Sequence, residues 1–419
     1  MIYSPNNVKI PADWSITRAD AILNHINNPI RSQSLKDGIF FHYSIPAIQD
    51  TGDGKIEDGI DIDSDKLLLE GGEILISKLN PEKGCVIIAE SHEIPTICST
   101  ELVPLRVKSA SSVNSKYVFY VYSSNSTRDL LASRSESATR SHKRVNPSEI
   151  AKLKFPLPPL NTQNQIANYL DRETSHIDAL IQAKENLLTM LTEKRQALIT
   201  NAVTCGLDPN VPLKPSGVDW LGNIPEHWEV ERTRWLFKER NERSETGEEE
   251  MLTVSHITGV TSRSEKDVNM FEAESNEGYK ICFPGDLVIN TLWAWMGAMG
   301  ISPLHGIVSP AYHVYIPLSR IEPAYIDTIV RLPIFASEVT RYSKGVWSSR
   351  LRLYPEGLYE VYLPVPPLEE QRQIVDHIKV ELNKINKFQS AAEQSITLLK
   401  ERRSALITAA VTGQIEIPV

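Results

Sequence analysis

One stretch of this 419-residue chain occurs twice. Residues 156–204 return as residues 364–412 without a gap, and 22 of the 49 aligned positions are identical. Both copies begin with Pro-x-Pro-Pro-Leu-x-x-Gln-x-Gln-Ile and end with Arg-x-Ala-Leu-Ile-Thr-x-Ala-Val-Thr. The offset of 208 residues is far longer than the roughly 20–50 residues of a solenoid repeat. The sequence therefore indicates a duplicated unit of domain size.

Weaker echoes extend the duplication to the rest of the chain. Ile-Pro-x-x-Trp at residues 10–14 returns at residues 224–228, and Gly-Glu-Ile-Leu-Ile at residues 72–76 returns as Gly-Asp-Leu-Val-Ile at residues 285–289. These offsets of 214 and 213 are close to 208, as expected if loop lengths differ slightly. We predict a first globule (1–155), a helical repeat (156–206), a second globule (207–363) and a second helical repeat (364–419).

The predicted fold class is α+β. Runs such as residues 74–76, 86–89 and 117–122 are typical of strands, and helices are expected around residues 17–27 and 123–133. Hydrophobic content of 41% suits two globules that each bury a core. The sequence has no apolar run long enough to span a bilayer and no secretory leader, so a cytoplasmic protein is expected.

Each helical repeat predicts a helix of about 40 residues, roughly 60 Å long, with an apolar seam at heptad spacing. The predicted seam residues are Ile166, Leu170, Ile177, Leu180, Leu187, Leu191 and Leu198 in the first copy, and Ile374, Ile378, Ile385, Phe388, Leu399 and Leu406 in the second. A helix with such a seam needs a partner. Antiparallel pairing of the two copies about a pseudo-two-fold axis is one solution, and a parallel coiled coil between two chains is the other.

Patterns typical of catalytic and metal sites are absent from the sequence. It contains no phosphate-binding P-loop, dinucleotide fingerprint, His-Glu-x-x-His or paired Cys-x-x-Cys, and no catalytic or metal-binding residue is predicted. The acidic stretch 50–65 fails as a calcium loop because Lys66 and Gly72 occupy the positions that would need Gly and Glu. A solvated turn region is the better interpretation.

Basic residues mixed with aromatic ones near the end of each globule favour DNA binding. Net charge is −9, yet residues 106–154 hold 10 basic and 3 acidic side chains, so an acidic protein can still present a basic face. Such residues suit phosphate contacts and base-edge readout, although a solvated surface would show the same composition. The candidates are Arg134, Arg140, Lys143, Arg144, Arg341, Lys344, Trp347, Arg350 and Arg352.

The chain resembles the specificity subunit of type I restriction-modification systems. The resemblance depends on Leu-Pro-Pro-Leu and Gln-Ile in residues 157–166, the blocks 194–200 and 402–408, the two Ala-Val-Thr endings, and Trp-Leu-Gly-x-Ile-Pro-x-x-Trp at residues 220–228. It covers nearly the whole chain. Cys205, inserted between Thr204 and Gly206, departs from the second copy, where Thr412 meets Gly413 directly.

The resemblance implies two target recognition domains that each read one half of a bipartite, asymmetric DNA target. It also implies an intramolecular antiparallel coiled coil that sets the unread spacer and docks two methyltransferase subunits. S-adenosylmethionine would then belong to those subunits, and ATP and Mg to restriction (motor) subunits, leaving this chain non-catalytic and without cofactors. The alternatives are a coiled-coil adaptor, or a fused methyltransferase or nuclease fragment with an unrecognised active site.

Overall fold

The computed structural model describes residues 10–139, 142–265, 275–347 and 350–417. The first globule and the helix after it contain the strands β1 Ser15–Arg18, β2 Leu23–His25, β3 Pro29–Ile30, β4 Ile39–Tyr43, β5 Lys55–Asp58, β6 Lys66–Leu69, β7 Ile74–Ser77, β8 Val86–Ile88, β9 Thr96–Ser99, β10 Leu102–Val107, β11 Glu136–Thr139, β12 His142–Arg144 and β13 Lys154–Leu157, and the helices α1 Ala19–Ile22, α2 Ile45–Thr51, α3 Ser115–Ser123, α4 Asn125–Ser133, α5 Pro147–Ala151 and α6 Leu160–Cys205.

The second globule and the last helix have their own set. Its elements are the strands β14 Leu213–Pro215, β15 Asn223–Pro225, β16 Glu229–Arg232, β17 Phe237–Glu239, β18 Leu252–Ser255, β19 Gly259–Ser262, β20 Lys280–Cys282, β21 Leu287–Asn290, β22 Met299–Ile301, β23 Gly306–Val308, β24 Tyr312–Pro317 and β25 Tyr362–Val365, and the helices α7 Pro323–Val330, α8 Pro333–Arg341, α9 Pro355–Leu358 and α10 Leu368–Val411. No helix in the described part of the chain combines the length and the apolarity that a membrane crossing requires.

Each globule contains its own four-stranded antiparallel sheet, and the two sheets have the same strand arrangement. The strand order is β2-β10-β7-β8 in the first and β17-β24-β21-β22 in the second, and the echoed strands β7 and β21 take the same place. The pairs β1-β13 and β16-β25 likewise correspond. Elsewhere the globules differ: the first adds a five-stranded sheet, β3-β6-β9-β4-β5, whereas the second has the two-stranded pairs β14-β15, β18-β19 and β20-β23. A common scaffold therefore carries different additions.

The chain divides into two compact units that each take part of both long helices. Unit 1 contains the first globule, α6 up to Glu185 and the chain from Glu393 onward, and unit 2 is Asn186–Ala392. Within unit 1, Asp178 accepts both bonds of a bidentate pair from Arg403, at 2.9 and 3.2 Å, while Glu185 lies 3.8 Å from Lys400. Residue numbers rise along one helix as they fall along the other, so the helices run antiparallel. The predicted fold class and intramolecular pairing are confirmed.

The buried stripe on each long helix follows a strict alternation of four and three residues. Its positions, all buried or partly buried, are Leu170, Thr174, Ile177, Ile181, Lys184, Leu188, Leu191, Arg195, Leu198 and Ala202 on α6, and Ile378, Leu382, Ile385, Gln389, Ala392, Ile396, Leu399, Arg403, Leu406 and Ala410 on α10. The second set equals the first plus 208. The buried positions therefore repeat with the same offset as the sequence itself.

The predicted seam is wrong at three positions. Leu180, Leu187 and Phe388 are 52%, 41% and 65% exposed. In each case the helix buries, fully or partly, the residue that follows in the sequence. Ile181 and Leu188 follow the first two directly, so either choice gave an apolar residue at heptad spacing. The other predicted seam residues are buried or partly buried, with Ile166 and Ile374 packed in the cores of their globules.

Each long helix ends inside the core of a unit. In unit 1 the Tyr117 hydroxyl donates to the carbonyl oxygens of Pro156 (2.7 Å) and Val411 (3.3 Å). In unit 2 the Tyr325 hydroxyl donates to the Val203 carbonyl oxygen at 3.3 Å. Because 117 and 325, like 203 and 411, differ by 208, the two cores use the same contact.

The Ile-Pro-x-x-Trp motif explains the glycine after each helix. Gly413 has φ +71°, and a Cβ there would lie 2.5 Å from Pro11 and 3.3 Å from Trp14. Gly206 has φ +75°, and its Cβ would lie 3.3 Å from Trp228. Left-handed backbone favours glycine, and the close approach of the motif reinforces that choice.

A buried glutamine, Gln163 or Gln371, joins each long helix to the globule before it. Gln163 Nε2 donates to the carbonyl oxygens of Ser112 (3.2 Å) and Pro158 (2.9 Å), and its Oε1 accepts from the Asn114 amide at 2.8 Å. Gln371 repeats this: Nε2 donates to the carbonyl oxygens of Arg320 (3.0 Å) and Pro366 (2.8 Å), and Oε1 accepts from the Glu322 amide at 2.8 Å. Each clamp thereby fixes the residue that precedes α3 or α7.

The prediction of a strand over residues 117–122 is wrong. The run lies in α3, which begins after Asn114, whose side chain accepts from the Tyr117 amide. Buried partners decide the conformation: Tyr120 donates to Asp171 and Tyr122 to the Ile150 carbonyl oxygen. The helix expected over residues 17–27 is reduced to α1, and strand β2 follows it.

Candidate nucleic-acid interface

In the first globule the candidate cations lie on and beside a hairpin. Strands β11 and β12 pair with Glu136 opposite Arg144 and Ser137 opposite Lys143. Arg140 lies outside the described residues. The side chain of Lys143 is exposed, and so is that of Arg144.

Loop 78–84, which follows β7, holds this hairpin through Asn80. The Asn80 amide donates to the Lys143 carbonyl oxygen at 2.8 Å, and its side-chain oxygen accepts from the Lys143 amide at 3.1 Å. Asn80 adopts φ +47°, a left-handed conformation that asparagine tolerates better than most residues. Sequence reasoning missed Asn80, although the dipeptide Asn80-Pro81 is a turn signal.

Two of the candidate cations already have acidic neighbours. Arg134 Nη1 lies 2.8 Å from a carboxylate oxygen of Glu149, and Arg144 forms two bonds to Glu101, at 3.2 and 3.1 Å. These pairs are on the surface, where an ion pair contributes about 1 kcal/mol or less. A DNA phosphate can therefore replace the carboxylate at little energetic cost.

The second globule brings its cations together at a β-bridge. Lys344 and Arg352 exchange both backbone hydrogen bonds, each 3.0 Å long, and both side chains are exposed. The segment between them carries Val346 and Trp347, which are 92% and 68% exposed, and Arg350, whose amide donates to the Trp347 carbonyl oxygen. A large aromatic surface thus lies beside three cations.

Loop 291–297 lies next to this bridge. It follows β21 as loop 78–84 follows β7, and the Leu353 amide donates to the Thr291 carbonyl oxygen at 3.2 Å. Trp293 is half exposed and stacks on Trp295 with the ring centroids 6.3 Å apart. With the offset of 213, Trp293 stands where the first globule has Asn80. Both globules therefore place a loop against basic residues, but with different chemistry.

Arg341 has a mainly structural environment. Its Nη1 lies 3.1 Å from the carboxylate of Glu338, which is buried, and 3.3 Å from that of Asp219. The field of Glu338 raises the pKa of Arg341. Of the candidates in the second globule, Arg341 is the one tied to a buried acid.

A buried acid stabilises the base of each loop. Asp286, just before β21, accepts two bonds from Arg240, at 2.7 and 3.1 Å, and Glu73, just before β7, pairs with Arg106. Hydrogen bonding to Glu70 raises the pKa of Arg106, with a further contribution from Glu73, and hydrogen bonding to Asp286 raises the pKa of Arg240. Both strands that lead to the interface loops are thereby anchored.

The acidic stretch 50–65 has capping and pairing roles. The Asp58 carboxylate accepts from the Ile60 amide, Asp65 accepts from the Ser32 amide, and Asp63 lies 3.4 Å from Lys36 Nζ. Among the described residues, no three side chains of His, Cys, Asp or Glu are grouped to hold a metal ion.

The sequence of this chain is similar to those of known proteins. Residues 11–190 match the family described as type I restriction modification DNA specificity domain. From Methanocaldococcus jannaschii, the type I restriction enzyme MjaVIII specificity subunit is 21% identical, and a protein assigned as the MjaX specificity subunit is 25% identical. Each alignment covers 98% of this chain and 95% of the relative.

Solved structures share the fold. A chain from a structural study of complex assembly and conformational transition in a type I restriction-modification system aligns with a TM-score of 0.71 at 16% identity, covering 97% of this chain and 100% of that one. The HsdS subunit from Thermoanaerobacter tengcongensis aligns with a TM-score of 0.55 at 17% identity, covering 99% of this chain and all of that subunit. Residues 11–190 thus match the DNA specificity domain of type I restriction-modification systems, and nearly the whole chain is similar to the specificity subunits of type I restriction enzymes.

Proposed function

We propose that each globule reads one half of a bipartite, asymmetric DNA target, and that the chain itself performs no catalysis. One observation carries this proposal. In each globule a loop that follows the equivalent sheet strand lies beside a basic segment, but the side chains of the loop and the segment differ between the two globules. Arginine and lysine suit phosphate and guanine contacts, while exposed tryptophan suits contacts with bases. Two sites of different chemistry favour two different half-sites.

The test is neutralisation of the bridge cations in the second globule. Lys344→Gln and Arg352→Gln are each expected to weaken DNA binding, because both cations are exposed beside Trp347. A residue that meets a phosphate should reduce the salt slope of log K by about one, and a residue that meets a base should relax base choice in one half-site. Binding is measured by fluorescence anisotropy over a salt series, and base choice by mapping methylated adenines.

Lys379→Gln is the matched control, since Lys379 is also an exposed lysine of unit 2 but lies on the long helix α10. If the two bridge variants behave like this control in affinity, salt slope and methylation pattern, the interface lies elsewhere. Arg350 can be tested in the same way.

The proposed partners are two methyltransferase subunits, which would bring S-adenosylmethionine, and restriction subunits, which would bring ATP and Mg. Exposed apolar residues on the long helices support two identical partners. Leu180 and Met190 on α6 have the repeat equivalents Phe388 and Leu398 on α10, and all four are more than half exposed. A surface that repeats at the same offset as the seam fits two copies of one protein.

The long helices are proposed to set the spacer between half-sites. Seven residues inserted at matched points in both helices keep the alternation of the seam and lengthen each helix by about 10 Å, or about three base-pair steps of 3.4 Å. We expect the modified adenines to shift to a different spacing, which methylation mapping would detect. An unchanged spacer would show that the helices do not set it.

A further inference from the structure

Unit 1 contains a cavity of about 410 Å³ between the first globule and the last turns of α10. Three cations line it, Arg128 from α4 and Lys400 and Arg403 from α10, together with the hydroxyls of Ser123 and Ser404 and the ring of Phe119. No acidic side chain is among the described residues that line the cavity. A volume of this size is typical of small-ligand sites.

Arg128 is the central side chain of this cavity. Unlike Arg106 and Arg240, it forms no ion pair with a carboxylate in the described ranges; Nη2 donates to Asn125 Oδ1 and to Ser404 Oγ (3.3 Å). Its Nε is buried and has no hydrogen-bond partner. Burial lowers the pKa of Arg128; the charge of Asp129 opposes this effect, and the charge of Arg403 adds to it. The guanidinium is thus partly desolvated and lacks an ion-paired counter-ion.

The other two cations are only partly neutralised. Arg403 forms its bidentate pair with Asp178 across the two helices, while Lys400 Nζ lies 3.8 Å from Glu185, a long contact between exposed groups. Bringing three cations to one cavity costs free energy through repulsion, which an anion would reverse.

Comparison with the repeat shows that packing does not require these charges. The equivalents of Arg128 and Lys400 at an offset of 208 are Ala336 and Thr192. Gly84, where a Cβ would lie 2.3 Å from Arg128 Cδ, corresponds to Gly297, where a Cβ would lie 3.8 Å from Ala336 Cβ. Unit 2 therefore fills the same position with an uncharged side chain. Arg128 and Lys400 are therefore particular to unit 1, whereas Arg403 has the repeat equivalent Arg195.

We propose that this cavity binds a phosphate group, carried either by a phosphorylated small molecule or by a nucleic-acid backbone. Arginine and lysine with adjacent hydroxyls are the donors that phosphate oxygens prefer, and Phe119 offers an apolar surface for the rest of such a ligand. The cavity touches one of the loops proposed to read DNA, because Gly84 at the end of loop 78–84 lines it, but phosphate binding does not depend on that proposal.

The experiment measures pyrophosphate binding to the full chain by titration calorimetry. Arg128→Gln and Lys400→Gln are each expected to raise the Kd about tenfold or more, as loss of a charge-assisted hydrogen bond implies. Arg172→Gln, an exposed cation on α6 outside the cavity, is the control and should change nothing. Lys400 is exposed, so its replacement tests the site without disturbing packing.

A second arm measures DNA binding of the same proteins over a salt series. Pyrophosphate binding that the two variants lose assigns the site to a free phosphorylated ligand. Absence of pyrophosphate binding, with a salt slope for DNA reduced by about one in each variant, assigns it to backbone phosphate. If both variants match the control in both arms, the proposal is overturned.

Discussion

If the unaltered chain binds two methyltransferase subunits, as proposed, a Phe388→Asp chain is expected to bind one. Phe388 is 65% exposed beside the seam, although it was a seam residue by sequence pattern. An aromatic side chain of this kind is a typical binding hot spot, and a buried aspartate in its place would cost about 3 kcal/mol or more, over a hundredfold in Kd. Native mass spectrometry of the assembled complex would report the stoichiometry directly.

Leu180, the repeat equivalent of Phe388, supplies the second half of this test. Leu180→Asp should remove the other methyltransferase subunit, and the double variant should remove both. Val380→Asp is the matched control, because Val380 is an exposed apolar residue of α10 on the side of the helix opposite the seam. Full occupancy in both single variants, or an equal loss with Val380→Asp, would show that this flank does not bind the partner.

The repeat explains why much of the fold could be predicted. The two long helices were predictable because their signals are local: the heptad spacing indicates each helix, and Gly206 and Gly413 mark where each one ends. The step of the seam was harder: Leu180-Ile181 and Leu187-Leu188 are adjacent apolar pairs, and periodicity alone does not say which member faces the other helix. The state of residues 117–122 likewise depends on contacts with distant segments, such as that of Tyr120 with Asp171 and that of Tyr122 with Ile150.

The candidate interface was predictable in kind but not in arrangement. Basic and aromatic residues near the end of each globule are visible in the sequence, and so is the unusual pair Trp293 and Trp295. Contacts between distant segments are not visible: Asn80 reaches Lys143 across 63 residues, and Thr291 reaches Leu353. Acids from distant parts of the chain also pair with candidate cations, as Asp219 does with Arg341 and Glu101 with Arg144.

A Gln163→Leu substitution is expected to destabilise unit 1 by about 3 kcal/mol, because three backbone groups around this buried side chain lose their hydrogen-bond partner, at about 1 kcal/mol each. Leucine has a similar volume and supplies no donor or acceptor, so the loss is of hydrogen bonds and not of packing. Hydrogen exchange would locate the effect, since the Asn114 amide loses its acceptor and should exchange faster. Thermal unfolding would measure the loss of stability.

Gln371→Leu should do the same in unit 2, with faster exchange at the Glu322 amide and no change at Asn114. The exchange of the two amides therefore separates a local clamp from general instability. Gln196→Leu, an exposed glutamine on α6, is the control and should stay within about 0.5 kcal/mol of the unaltered chain. Equal exchange at both amides in both variants would mean that the glutamines do not act as separate clamps. A local response would explain why this glutamine returns in both copies while the surfaces proposed to read DNA diverge.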